Sequence, residues 1–257
     1  GMGKESYPLT LLPVQKEMEL MCVAFECKPL EIYNLFDPRN YNFLINLQLL
    51  EAASNSSPPV YGTTIVDRTW FSYFAPTATV FAPADTRLKI MASAGPLNKR
   101  LIFLNTSETP PEGERFNTGA GFSVDETSAI RLAYYQSAQD MWRLNDSRIR
   151  FFGEHGIKND RVDELHSMSQ EALNEAKEHL EKKDYLNFYA AARRALSLES
   201  WAYPDVIGMA NDTVRGLIFY LALLLPFAFI MERLFLAGRR IETRILGIIL
   251  FFVLMFF

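Results

Sequence analysis

The feature that most constrains this chain is its C-terminal stretch, "GLIFYLALLLPFAFIMERLFLAGRRIETRILGIILFFVLMFF", Gly216–Phe257. From Gly216 to Met231 no residue is charged, and Leu234, Phe235 and Leu236 carry the apolar run past Glu232 and Arg233. At the α-helical rise, a helix over 216–236 would be about 31 Å long, close to the hydrocarbon thickness of a bilayer. Pro226, near its middle, is costly in a water-soluble helix, whereas a membrane span tolerates it when neighbouring groups satisfy the freed carbonyl. Ile245–Phe257 is apolar on every side and reads as a second span cut short. The loop between them gathers Arg233, Arg239, Arg240 and Arg244. By the positive-inside rule this loop faces the cytoplasm, so residues 1–215 lie outside and the chain is a multi-pass protein of the cell membrane.

Charge is segregated along the chain. The formal net charge is −4; the tail from Gly216 carries +2 (four Arg against Glu232 and Glu242), which leaves −6 for residues 1–215. A mildly acidic head lacks the basic stripe that neutralises phosphates, so nucleic acid is excluded as a partner. The opening "GMGKESYPLT" has no basic segment followed by an apolar one. An exported head therefore implies an upstream span, and the expectation is a fragment of a longer protein. The two cysteines, Cys22 and Cys27, sit an odd number of residues apart in a strand-like stretch, which points their side chains to opposite faces. They read as small, buried or half-buried hydrophobes.

The expected fold class is α+β, with five segments. Residues 1–116 form a β-rich extracytoplasmic domain and 117–212 a helical stalk. Residues 213–237 form the first transmembrane helix, 238–244 a basic cytoplasmic loop and 245–257 the truncated second helix. Strand-like runs "TTIVD", "TATVFAP", "TRLKIMAS" and "KRLIFLN" are punctuated by turn residues, and Pro83–Ala84–Asp85 reads as a hairpin loop between the middle two. In "RLKIM", Leu88 and Ile90 fall on one face and Arg87, Lys89 and Met91 on the other. "LMCVAFE" is another strand candidate, while Leu44, Leu47 and Leu50 suit either a short helix or an irregular strand. The sum is a small antiparallel β-sandwich.

Ser123-Val124-Asp125-Glu126 has the spacing of a capping box and predicts a helix running to about Phe152. Asn159 or Asp160 caps the next helix, whose stripe is Leu165, Met168, Ala172, Ala176 and Leu180. A turn at Asp184–Tyr185 leads to a third helix that ends at Pro204, giving a helical hairpin stalk. N-x-[ST] sequons occur at Asn55, Asn105, Asn145 and Asn211.

No chemistry-bearing motif appears. His155, His166 and His179 lack metal-ligand spacing and read as solvated surface residues. Asp37, Asp67 and Asp85 sit in turn-like contexts where Asp serves structure. Nucleophile-elbow, zincin and phosphate-loop patterns are missing. The expectation is a non-enzyme without cofactor or metal. The aromatic set Trp70, Phe71, Tyr73 and Phe74 in "RTWFSYFAP" is either core or a possible binding surface.

The order stalk helix, span, Glu–Arg, arginine-rich loop, span resembles FtsX-like permeases of ABC transport systems, the mechanotransmission class. Arg239, Arg240, Glu242, Arg244 and Gly247 approximate that family's cytoplasmic pattern, with tighter spacing, over roughly the last forty residues. The resemblance implies a non-catalytic head and stalk coupled to a cytoplasmic ABC-type ATPase, with an envelope protein or a second copy as further partners. The alternative is a membrane-anchored binding module whose β-sandwich recognises a carbohydrate, peptide or envelope partner.

Overall fold

The computed structural model describes residues 25–37, 43–44, 46–66, 77–93, 100–110, 113–236 and 241–256. The chain is a mixed α+β protein with two small sheets and a long C-terminal helix. It divides into two compact units, Gly1–Pro204 and Asp205–Phe257.

In the first unit, β1 (Lys28–Ile32), β3 (Gly62–Val66), β4 (Thr77–Ala82) and β8 (Ala129–Ile130) form one sheet in the order β3-β4-β1-β8. The other sheet runs β2 (Asn46–Glu51), β5 (Arg87–Ser93), β6 (Arg100–Phe103), with β7 (Phe122–Ser123) also paired to β5. All pairings are antiparallel except β1 with β8, which is parallel, so the sheets are not purely antiparallel. The four strand-like runs do form strands. The hairpin expected at Pro83–Ala84–Asp85 does not: β4 and β5 belong to different sheets, and the turn closed by Thr86 N–H donating to Pro83 O carries the chain from one to the other. A short loop fits either connection, and only long-range pairing distinguishes them. Leu47 and Leu50 lie on β2, so that segment is a strand. Cys27 is exposed rather than packed; Cys22, Asp67 and most of "LMCVAFE" lie outside the described residues.

One hydrophobic cluster joins both sheets to the helices. It takes Leu30, Ile32 and Val80 from the first sheet, Leu49, Leu88, Ile90 and Phe103 from the second, and Tyr134, Leu173, Phe188 and Leu196 from helices. The helices are α1 (Ala133–Glu154), α2 (Asp160–Glu181) and α3 (Tyr185–Phe235). The first unit therefore runs through 116/117 without a break. Strand β6 shows why "RLIFL" is apolar throughout. Leu101 and Phe103 face the main cluster, and Ile102 with Leu104 just beyond the strand packs on Met141 and Leu144 of α1. A strand buried on both faces loses the polar alternation of a half-exposed one.

The Ser123 box opens no helix. Ser123 belongs to β7; its Oγ accepts from Glu126 N–H at 3.4 Å and its carbonyl from Thr127 N–H at 2.9 Å, closing a turn. The same side-chain chemistry caps turns and helices alike. Helix α1 starts ten residues later at Ala133, without a side-chain cap. Asn159 caps α2, accepting from Arg161 N–H and Val162 N–H at 3.1 and 3.3 Å. Lys183 takes a positive φ of 58° in the turn before Asp184, which accepts from Asn187 at the start of α3. Helix α3 does not stop at Pro204 but continues to Phe235, through Pro226 as well.

The joint between α1 and the second sheet is polar: Ser137 Oγ accepts from Ile102 N–H at 3.0 Å, and a carboxylate gathers the residues that follow. Asp140 is fully buried; its Oδ2 accepts from Leu104 N–H (2.7 Å) and Asn105 N–H (3.1 Å). Its Oδ1 accepts from Thr106 N–H (2.8 Å) and Thr106 Oγ1 (2.7 Å). Beside it, Gly119 has φ +78° and an added Cβ would lie 2.2 Å from Leu104 O, so only glycine fits.

In the second unit, α3 residues from Asp205 onward meet α4 (Ile241–Phe256). The ring centroids of Phe235 and Phe251 are 6.1 Å apart, and a Cβ on Gly247 would come within 2.8 Å of Leu236 Cδ1 and 2.9 Å of Glu232 Cγ. Among the described residues one helix, α3, is long and apolar enough to cross a membrane, with a mean hydropathy of 2.1 in its most apolar window.

Asp140→Ala strands three backbone N–H donors in a dry environment, and is expected to cost about 3–5 kcal/mol. Thermal unfolding of the full chain in detergent checks this, with Gln136→Ala, which removes only a 3.3 Å bond to the same carboxylate, as the mild comparison.

Candidate functional site

A cleft of about 690 Å³ opens on the first unit between the exposed sides of α1 and α2 and the loop that follows β6. That volume lies inside the range of small-ligand sites. Helix α1 supplies Tyr135, Gln139, Trp142, Arg143, Asp146 and Arg150, spaced to fall on one helical face. Gln170, Asn174 and Lys177 do the same from α2, and Glu108, Arg115 and Asn117 come from the loop.

The loop is fixed in place by its own polar groups. Besides the Asp140 clasp, Arg143 Nη1 donates to Thr106 O at 2.5 Å and Asn117 Nδ2 to Ser107 O at 2.8 Å. Asn117 N–H donates to Ser147 Oγ at 3.1 Å, and that hydroxyl itself donates to Leu144 O at 2.8 Å. The Arg115 guanidinium lies 5.0 Å from the Phe151 ring centre, a cation–π contact, and Phe116 meets the same ring edge-on at 5.5 Å.

Behind the cleft wall three helices meet in a buried ionic network. His166 on α2 is 9% exposed, and its Nδ1–H donates to Glu199 Oε1 on α3 at 2.8 Å. The other Glu199 oxygen accepts from Asn145 Nδ2 on α1 at 2.7 Å. His166 Nε2 lies 3.7 Å from Asp146 Oδ1, an ion-pair contact beyond hydrogen-bond length. Asp146 is held by Arg150 on its outer side, through contacts of 2.8 and 3.1 Å. The Trp142 indole stacks on the His166 ring, centroids 4.7 Å apart and planes within 5°, while its Nε1–H donates to His166 O at 3.2 Å.

Burial opposes charge on His166, but Asp146 and Glu199 outweigh it and raise its pKa to about 9. Burial likewise pushes Asp146 up, and the neighbouring His166 and Arg150 overcome this to hold it below the usual carboxylate value. His166 is therefore an imidazolium at neutral pH.

This overturns the expectation of a solvated His166. The buried stripe of α2 is Val162, His166, Ser169, Ala172, Leu173 and Ala176, whereas Met168 of the expected stripe is 45% exposed. Ala172 and Ala176 of the expected stripe are buried and Leu180 packs against the core, but apolar periodicity missed two polar members of the face: His166 in the network, and Ser169, whose Oγ donates to Ala195 O at 3.1 Å. Asn145 is also fully buried, which removes it as a sequon. Asp37 is buried, and Asp85 is exposed in the turn between β4 and β5.

Trp70, Phe71, Tyr73 and Phe74 lie outside the described residues, as do Arg239 and Arg240. Arg233 sits 5.8 Å from the Phe229 ring centre, and Arg244 is half-buried on α4. The residues that line the cleft belong to no motif in the sequence. The signal that finds them is the recurrence of aromatic, amide and charged residues at i, i+4 and i+7 on the solvent side of α1. Among the described residues no group of three or more His, Cys, Asp and Glu is placed to hold a metal.

The folded pKa of His166 exceeds its unfolded value of 6.5, so its contribution to stability is full below pH 6.5 and lost as pH rises through 9. The unfolding free energy of the full chain should fall over that window by on the order of 3 kcal/mol in total, read from denaturant titrations at each pH. His166→Gln should be less stable at pH 6 and flatten this part of the profile.

No protein-family model, curated protein or solved structure matches this chain.

Proposed function

We propose that the chain is a non-catalytic, membrane-anchored binding module whose ligand occupies the cleft between α1, α2 and the loop after β6. The observation that carries this reading is the cleft itself: about 690 Å³, with half-buried aromatic side chains and polar groups converging on it, and a wall held rigid from behind. Preorganised walls lower the entropy cost of binding. In this reading the two sheets pack as a sandwich that frames the helices, outside the membrane.

The anchor is the apolar part of α3, with α4 as a second span. Leu217, Phe219, Leu223, Leu225, Ile230 and Leu234 are all exposed, as are Ile245, Leu246, Ile249 and Leu250 of α4. Large apolar surfaces of this kind mark contact with lipid or another protein. Arginines at 233, 239, 240 and 244 would then face the cytoplasm.

A second reading keeps the chain as the head and stalk of a transport permease, driven by a cytoplasmic ATPase. What favours it is that one helix, α3, supplies both core residues such as Phe188 and Leu196 and the apolar segment. An ATPase recovered with the full-length protein from its own membranes would support the permease; its absence would leave the binding module.

Orientation is open to direct test. In a Cys22→Ser background the exposed Cys27 should react with a membrane-impermeant maleimide on intact cells. Labelling only after lysis would invert the topology. For the cleft, a ligand at a hundredfold excess over its Kd should stabilise the full chain in nanodiscs by about 2.7 kcal/mol. That stabilisation should shrink in Asn174→Ala.

A further inference from the structure

We infer that the ligand of this cleft is a short neutral glycan, an inference that rests on the binding reading above. The first support is the aromatic wall. Trp142 is clamped by its stack on His166 and its hydrogen bond to the His166 carbonyl, so the indole is already ordered before a ligand arrives. Tyr135 lies two turns away on the same helix. A pyranose ring presents a C–H face that packs on such rings and an edge of hydroxyls that cannot be buried unpaired.

The second support is the balance of donors and acceptors. Each sugar hydroxyl donates once and accepts up to twice, so its site needs both kinds of partner side by side. Gln139, Gln170 and Asn174 offer both in one side chain, and Asn174 and Gln170 are exposed to the cleft from α2. Arg115 and Lys177 add donors and Glu154 an acceptor.

The third is charge. The lining carries four cations, Arg115, Arg143, Arg150 and Lys177, against three carboxylates, Glu108, Asp146 and Glu154, a net of +1, and His166 behind the wall is offset by Glu199. A cleft so nearly neutral has no field to gather a polyanion or a polycation. An extended peptide fits poorly too. The helical walls have their backbone groups bonded internally, so no strand edge is on offer, and the lining is too polar for an apolar helix to dock.

The test is isothermal titration calorimetry on the full chain in lipid nanodiscs. The probes are chito-, cello- and malto-oligosaccharides, with heparin and mixed tetrapeptides as comparisons. One neutral series should bind saturably, and Asn174→Ala and Gln170→Ala should each weaken it roughly tenfold, the loss of one good hydrogen bond. Trp142→Ala should weaken it further; because that change also disturbs the stack on His166, the two α2 variants are the decisive ones. Saturable binding that neither variant alters would overturn the assignment to this cleft. Peptides or heparin binding there in place of neutral sugars would overturn the glycan but leave the binding module standing. Silence from every probe would count against both.

Discussion

A carboxylate taken out of water costs several kcal/mol unless charge and hydrogen bonds replace its hydration. Helix α1 carries one such group, Asp140, and on a different side the half-buried Asp146, and much of the first unit is arranged to satisfy them. Asp140 points at the end of β6 and gathers three successive backbone N–H groups, which shapes the loop that follows. Asp146 points toward α2, where His166 and Arg150 share it, and Asn145 beside it reaches Glu199 on α3. A single helix thereby holds the sheet on one side and two helices on the other.

The cleft is a consequence of that arrangement. Its loop wall stands where it does because Asp140 and Arg143 hold Leu104–Thr106, and because Gly119 lets the returning chain pass against Leu104 O. Its helical wall is stiff because Trp142 is stacked on a buried ion rather than on a mobile apolar side chain. Directional interactions of this kind fix side-chain orientation more narrowly than hydrophobic contact does. The hydrophobic cluster shared by both sheets and the helices supplies the bulk of the burial, and the polar joints decide the geometry.

The second unit differs from the first in what it leaves exposed. Its exposed side chains are large and apolar, and its internal contact between α3 and α4 depends on a glycine. Gly247 leaves room for Glu232, whose side chain is fully buried, and for Leu236. Small residues at helix contacts allow close approach where lipid offers no hydrophobic drive to associate. Its exposed large apolar side chains set this segment apart from the rest of the described chain.

The strands β3 to β6, the Asn159 cap and the apolar C-terminal run were legible in the amino-acid sequence, because each rests on local pattern: alternation, a capping side chain, uninterrupted hydrophobicity. The pairing of β4 and β5 was not, since one turn serves a hairpin or a crossover equally well. Nor was the role of Ser123, whose hydroxyl caps a turn as readily as a helix. The candidate site was the least legible part. His166, Asn145 and Glu199 are polar residues at buried positions, and a reading based on apolar periodicity assigns such residues to the surface. Composition alone determined that the charged residues gather in the first part of the chain and the long apolar run in the last, because hydropathy is a property of each residue. Where the charges of the head are buried was decided only by tertiary structure. An ion's cost depends on the partners brought to it, and partners such as Asn145 and Glu199 stand 54 positions apart in the chain.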